Sequence, residues 1–171
     1  MMQHAPMNTF IAIFSAALGA LYIQTLTMIV MLGVYFLAFE RFTLQDPAGC
    51  LGMFMLAWLF GVGVGMVFLA AKPWAPNLVG IVSSIYQRIN MFASGKMFVA
   101  NTLPGFMISM FAWNPLFHVI DQTRGYAFVN YVPQNSNWLY PLAISLALIM
   151  GGLIAEAHTR KHASASWNSR G

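Results

Sequence analysis

The chain has 171 residues, of which 59% are hydrophobic and only 7% are charged. Soluble domains carry about a quarter charged residues, so this composition argues against a soluble protein and predicts an all-α, polytopic membrane helix bundle. The net charge of +4 includes no basic run long enough for nucleic acid. The single cysteine, Cys50, excludes an intrachain disulfide framework and a cysteine-cluster metal site.

Four apolar stretches are predicted to cross the membrane, because a hydrocarbon core of about 30 Å requires roughly 20 helical residues. They are residues 9–39, 47–71, 77–101 and 137–157. In the second stretch, Gly61 and Gly65 fit the small-xxx-small pattern that lets two membrane helices approach closely. Residues 102–136, between the last two spans, are too polar to cross and are predicted to form short re-entrant or interfacial helices.

The positive charges predict the orientation of the spans. The tail, residues 158–171, contains Arg160, Lys161 and Arg170 and is therefore expected in the cytoplasm. Four spans then place residues 1–8 in the cytoplasm as well, and the segment between the last two spans outside. Because the first 39 residues contain no Lys or Arg, the chain is also expected to be incomplete at its N-terminus.

Arg88 is the residue that most needs a partner. It is predicted about 16 Å along the third span, near the middle of the bilayer. A central arginine costs roughly 2.5–3.5 kcal/mol on insertion-based scales, and no acidic residue is expected at the same depth. Two interpretations remain open: backbone carbonyls and nearby polar side chains satisfy Arg88, or it lines a water-filled path together with Gln87 and Asn90.

Between the last two spans, the stretch "NPLFHVIDQTRG" predicts a short amphipathic helix. Its ends are set by residues with known terminal preferences: Asn114 as the N-cap, Pro115 at the first helical position and Gly125 as the stop. His118, Asp121 and Gln122 would share one face, which is expected to be turned to water or substrate. The apolar face would then lie on the bundle.

This polar face is not predicted to be catalytic or to bind metal. His118 beside Asp121 is compatible with a general base, but no motif places a Ser or Cys nucleophile next to them. Among the four histidines, His158 and His162 have helical spacing, and the basic residues between them favour a solvated face. We therefore expect no catalytic residue, no metal and no cofactor.

Three motifs resemble a known family. The sequence "FASGKMF" (residues 92–98) is similar to the Ser-Gly break at the outer end of the fifth helix in polysaccharide and polyol-phosphate export permeases. These are the membrane subunits of type 2 ABC exporters. "WNPLFHVID" (residues 113–121) resembles their Asn-Pro-Leu gate segment, and "YPLAISLALIMGGLIAEAHTRK" resembles their last helix. The family has six spans, so the four stretches here correspond to the third through sixth.

The resemblance implies a permease subunit of an ATP-driven exporter of polysaccharide or lipid-linked glycan in the bacterial inner membrane, rather than an enzyme. The implied partners are an ATP-binding cassette ATPase, a second permease copy, the lipid bilayer and the glycan. The chain has no Walker motif, so energy for active transport would come from such a partner. The implied roles are a substrate path of Arg88, Lys96, Gln87 and Asn90; an outer gate of Trp113, Asn114, Pro115, His118, Asp121, Gln122 and Arg124; and an ATPase-coupling segment with His4, Pro6 and Asn8.

Two other interpretations compete with this one. A membrane enzyme acting on lipid-linked sugars would need an acid or nucleophile at the membrane face, and the four acidic residues are scattered along the chain. An inactive, truncated permease fragment is the other alternative.

Overall fold

The computed structural model describes residues 9–38 and 44–168, with side chains described for residues 11–38 and 44–159. Regular structure in these ranges is entirely helical, which confirms the predicted all-α class. The α-helices are α1 (Thr9–Ala38), α2 (Pro47–Ala71), α3 (Pro76–Ala93), α4 (Gly105–Phe111), α5 (Pro115–Ala127) and α6 (Leu139–Asn168), and a 3₁₀ turn covers Ala100–Thr102.

Three of the described helices are long and apolar enough to cross a membrane: Ile11–Ala38, Pro47–Ala71 and Leu139–Thr159. They correspond to the first, second and fourth predicted spans and support a membrane protein. The third predicted span differs, because polar side chains interrupt α3 and the helix ends at Ala93, well before residue 101. Two residues after that end, Gly95 has φ +80°, a left-handed conformation that glycine adopts readily at a helix C-terminus.

The chain divides into two compact units, Met1–Thr43 and Leu44–Gly171. In the first unit, α1 exposes large apolar side chains along its length; Tyr22 is 70% exposed and Leu37 is 85% exposed. A helix that is hydrophobic on all sides requires an apolar environment. The bilayer would supply that environment for α1.

In the second unit, α2 packs against α6 along its length and against α5 near its beginning. The buried cluster at this junction consists of Met53 and Leu56 from α2 and Val119 from α5, with Tyr126 and Leu142 packed on it. The start of α2 is fixed by Asp46, whose carboxylate accepts hydrogen bonds from the backbone N–H groups of Ala48 and Gly49. Its own backbone N–H donates to the carbonyl of Tyr126 at 2.9 Å, which ties α2 to the end of α5.

The glycines that allow α2 and α6 to approach are Gly63 and Gly152. A Cβ at Gly63 would lie 3.0 Å from Leu148 Cβ, and one at Gly152 would lie 2.7 Å from Met66 Cβ. The predicted close approach at Gly61 and Gly65 is not the contact with α6, because a Cβ at either position would meet none of the described atoms within 4 Å. The pattern indicated the correct helix but the opposite face, since periodicity in one helix cannot show where its neighbour lies.

Candidate functional site

The segment between α3 and α6 forms the predicted short helix, α5. Asn114 caps it: its side-chain oxygen accepts from the backbone N–H of Leu116 at 3.0 Å, and Pro115 begins the helix, as predicted. The predicted stop at Gly125 is wrong, because the helix continues to Ala127. Gly125 instead allows close packing, since a Cβ there would lie 2.7 Å from Pro133 Cδ.

The predicted exposure of the polar face of α5 is also wrong. His118 is 8% exposed and Asp121 is 1% exposed, and the neighbouring Phe117 and Val119 are buried as well. Burial of these polar groups is tolerated because the chain between α5 and α6 supplies hydrogen-bond partners. No buried side-chain nitrogen or oxygen within the described residues lacks a partner.

Asp121 is the centre of one set of these bonds. Its Oδ2 accepts from the hydroxyl of Ser136 at 2.6 Å, and its Oδ1 accepts from the hydroxyl of Tyr131. Gln122 donates to the carbonyl and the hydroxyl of Ser136 at 2.9 and 3.0 Å. The Asp121 carboxylate therefore anchors the segment between α5 and α6 to α5.

The same contacts change the acidity of Tyr131. Burial of the phenol and its hydrogen bond to the Asp121 carboxylate raise the pKa of Tyr131 to about 12, because both oppose formation of a phenolate. Tyr131 is therefore a neutral hydrogen-bond donor over the physiological pH range.

His118 makes a second set of bonds. Its Nε2 lies 2.8 Å from the carbonyl oxygen of Ala112, and its Nδ1 accepts from the backbone N–H of Asn137 at 3.1 Å. One ring nitrogen therefore donates and the other accepts, which fits a neutral imidazole protonated on Nε2. With both nitrogens engaged by backbone groups, the ring serves as a structural link rather than a free base.

Arg124, at the other end of α5, binds the loop that follows α3. Its guanidinium donates to the carbonyl oxygens of Phe98 at 2.7 Å and Gly95 at 2.9 Å, with a longer contact of 3.5 Å to that of Lys96. A second link joins the same two parts of the chain, because the Asn114 amide donates to the side-chain oxygen of Asn90 at 2.6 Å. Residues of the predicted gate and path thus meet at the C-terminal end of α3.

Trp113 is the most exposed of the predicted gate residues. Its side chain is 82% exposed, whereas its carbonyl oxygen accepts from the hydroxyl of Tyr140 at 3.0 Å. The backbone at this position is therefore fixed to α6 while the indole remains available to lipid or ligand.

The polar residues of α3 are arranged very differently from those of α5. No residue of α3 is buried. Arg88 lies on an open groove with a volume of about 630 Å³, which also contains Asn77, Gly80 and Ser84. Within the described part of the chain, Arg88 forms no hydrogen bond or ion pair. Gln87, the preceding residue, and Lys96, beyond the end of α3, are also exposed. Pro76, Ile81 and Ile85 line the groove as well, so it presents one cation, with no bonded partner among the described residues, on a largely apolar surface.

Sequence reasoning missed the partners that satisfy α5, namely Tyr131, Ser136 and Asn137. Nothing in their spacing pointed to this role, because they follow α5 in an irregular segment. The run of polar residues in "YVPQNSN" was the one available signal. The predicted ATPase-coupling residues His4, Pro6 and Asn8 lie outside the described residues, and among those that are described, no group of three His, Cys, Asp or Glu side chains could hold a metal ion.

Comparison with known proteins supports the resemblance to polysaccharide exporters. No protein-family model matches the chain. Two curated proteins do, both from Escherichia coli and both described as polysialic acid transport protein KpsM. Each is 22% identical over 161 residues, which is 94% of this chain and 62% of the relative. The chain thus spans less than two thirds of the length of the relatives it resembles.

Proposed function

We propose that this chain is the membrane-embedded permease part of an ATP-driven exporter of polysaccharide or lipid-linked glycan. The observation that carries the proposal is the similarity to a polysialic acid transport protein over nearly the whole chain. The three apolar helices, long enough to span a bilayer, agree with it. The ATPase that drives export is proposed to be a partner subunit; the given sequence itself contains no Walker motif.

The exposed face of α3 is the proposed substrate path. An arginine on a helix in the membrane requires a counter-charge, water or carbonyl groups, and Arg88 has no bonded partner among the described residues. A guanidinium pairs favourably with carboxylate or phosphate groups, which an acidic glycan would carry. The proposed path also includes Lys96, Gln87 and Asn90. Asn90 lies about 200° around α3 from Arg88, on the side that meets α5, where its side-chain oxygen is bonded to Asn114.

The proposed topology places both termini in the cytoplasm of a bacterium and the region from α4 to α5 at the outer side of its inner membrane. In this arrangement α3 crosses the membrane in addition to the three long apolar helices. Helix α5 lies at the outer end of the path as a gate helix. Residues 1–8 would contact the ATPase, and a second copy of the permease would complete the exporter.

The path is tested by replacing Arg88 in the full-length complex and measuring glycan export at equal protein levels in the membrane. We expect Arg88→Gln to lower export by about tenfold or more, because a charge-assisted hydrogen bond contributes roughly 1.5–3 kcal/mol. Arg88→Lys should retain part of the activity, since it keeps the charge but not the planar fork.

Lys72→Gln is the matched control, because it removes a cation at the end of α2, outside the groove. We expect it to export like the unmodified protein. Unchanged export in Arg88→Gln at normal protein levels would rule out the proposed role of this face.

A further inference from the structure

The guanidinium of Arg124 is committed to the protein's own backbone. Both of its short hydrogen bonds end on carbonyl oxygens, those of Phe98 and Gly95, and the longer contact ends on that of Lys96. All three carbonyls belong to the irregular chain between α3 and the following 3₁₀ turn. This cation therefore differs from Arg88 and Lys96, which have exposed side chains.

The same loop is held from a second direction by Phe117. This ring is 1% exposed and packs so closely on Gly95 that a Cβ there would lie 3.1 Å from its Cδ2. Phe98 packs on Phe111, with ring centroids 4.8 Å apart. Arg124 and Phe117 thus fix both the carbonyl and the Cα sides of the turn at Gly95.

Arg124 can hold the loop in place because α5 is itself fixed. The helix is bonded to the start of α2 through Asp46 and to the chain before α6 through Asp121 and His118. By contrast, α3 has no buried residue. The loop is therefore located by α5 rather than by the helix that precedes it.

From these contacts we infer that Arg124 is a positioning residue: it fixes the backbone on which Lys96 stands, and so sets where the Lys96 ammonium meets acidic groups of the substrate. This inference rests on the proposed function. It assigns Arg124 a role different from direct contact with the glycan. Arg124 acts through backbone carbonyls, and Lys96 supplies the free charge.

The test attaches a nitroxide spin label to Lys96→Cys in the full-length complex in lipid, in a background in which Cys50 and any other cysteine are replaced. With Arg124 intact, the spectrum should contain an immobilised component, and Arg124→Gln should remove it. Arg124→Lys should restore it only in part, because one ammonium cannot reach the Phe98 and Gly95 carbonyls with the geometry of a guanidinium. A label at Leu146, an exposed position of α6, is the reference and should not change.

Two outcomes would overturn the inference. One is an unchanged Lys96 label in Arg124→Gln; the other is an equal loosening of the Leu146 label, which would indicate general loss of structure. Glycan export of Lys96→Gln and Arg124→Gln is measured in parallel. A change at the Lys96 label with full export in both variants would contradict the path role of Lys96, while leaving the positioning by Arg124 intact.

Discussion

Helices α3 and α5 both carry several polar residues, including a glutamine and an arginine each, yet the structure uses them in opposite ways. On α5, His118, Asp121 and Gln122 are bonded to the chain that leads into α6. On α3, no residue is buried and Arg88 faces an open groove. The difference shows that a polar cluster indicates a binding surface only when the fold leaves its groups unsatisfied; a satisfied cluster indicates a joint between segments.

The comparison predicts that side chains of α5 contribute more to the free energy of unfolding than those of α3. The largest effect is expected from Phe117→Ala. This ring is 1% exposed and contacts Gly95, so its removal should leave a cavity and lower the free energy of unfolding by about 3–5 kcal/mol. Phe92→Ala is the matched control on α3, where the side chain is 59% exposed and little should change. Thermal unfolding of the purified protein in one detergent measures both, and equal shifts for the two variants would remove the distinction between the helices.

Asp121→Asn should have the next largest effect. The Asp121 carboxylate accepts from two hydroxyl groups, whereas the amide that replaces it offers one oxygen and would direct an N–H₂ at the other hydroxyl. We expect a loss of roughly 1–3 kcal/mol in the free energy of unfolding. The same change at Asp46 should cost far less, because asparagine caps a helix about as well as aspartate does. A stability of Asp121→Asn equal to that of Asp46→Asn would contradict this account.

The ionisation of Tyr131 tests the same joint, which consists of the hydrogen bonds from Tyr131 and Ser136 to Asp121, without removing a side chain. Because the folded-state pKa is raised to about 12 from the usual value near 10, the neutral phenol stabilises the fold fully below pH 10 and this contribution is lost as the pH rises through 12. A difference titration of phenolate absorbance against Tyr131→Phe should show the late transition. In Asp121→Asn, the transition should move toward lower pH; a titration of Tyr131 near 10 in the unmodified protein would show that the joint does not form.

The smallest effect on stability is expected from substitutions of polar residues on α3. Ser84→Ala and Gln87→Ala change exposed positions, so thermal unfolding should be unchanged within about 0.5 kcal/mol. If either variant destabilised the protein as strongly as Asp121→Asn, the polar residues of α3 would also be structural, and the contrast with α5 would fail.

The sequence predicted those features of α5 that depend on adjacent residues. A side chain at Asn114 caps the next turn, and a proline at the first position needs no N–H donor, so the helix start followed from local chemistry. The end did not, because Gly125 is required by the approach of Pro133 rather than by a turn of the backbone. Similarly, the burial of His118 depends on Asn137, a contact between segments that helical periodicity does not encode.

The packing glycines show the same limit. A regular spacing drew attention to Gly61 and Gly65, while Gly63 and Gly152 are the positions in contact with the facing helix. Positions two residues apart along an α-helix differ by about 200°, so the regular spacing marked the helix that packs on α6 but a face that points away from α6. Only the position of α6 distinguishes these faces.

The hydrogen bond between Asn90 and Asn114 determines how the contact between α3 and α5 depends on the membrane potential. Moving one elementary charge through a membrane potential of 100 mV changes the free energy by about 2.3 kcal/mol, so a charged link between α3 and α5 would strengthen or weaken as the cell's potential changed. Two neutral amides joined at 2.6 Å carry no such dependence. In the proposed topology, where α3 crosses the membrane, a displacement of α3 that broke this contact would respond to voltage through charged groups such as Arg88. The neutral link itself would hold equally well in energised and de-energised membranes.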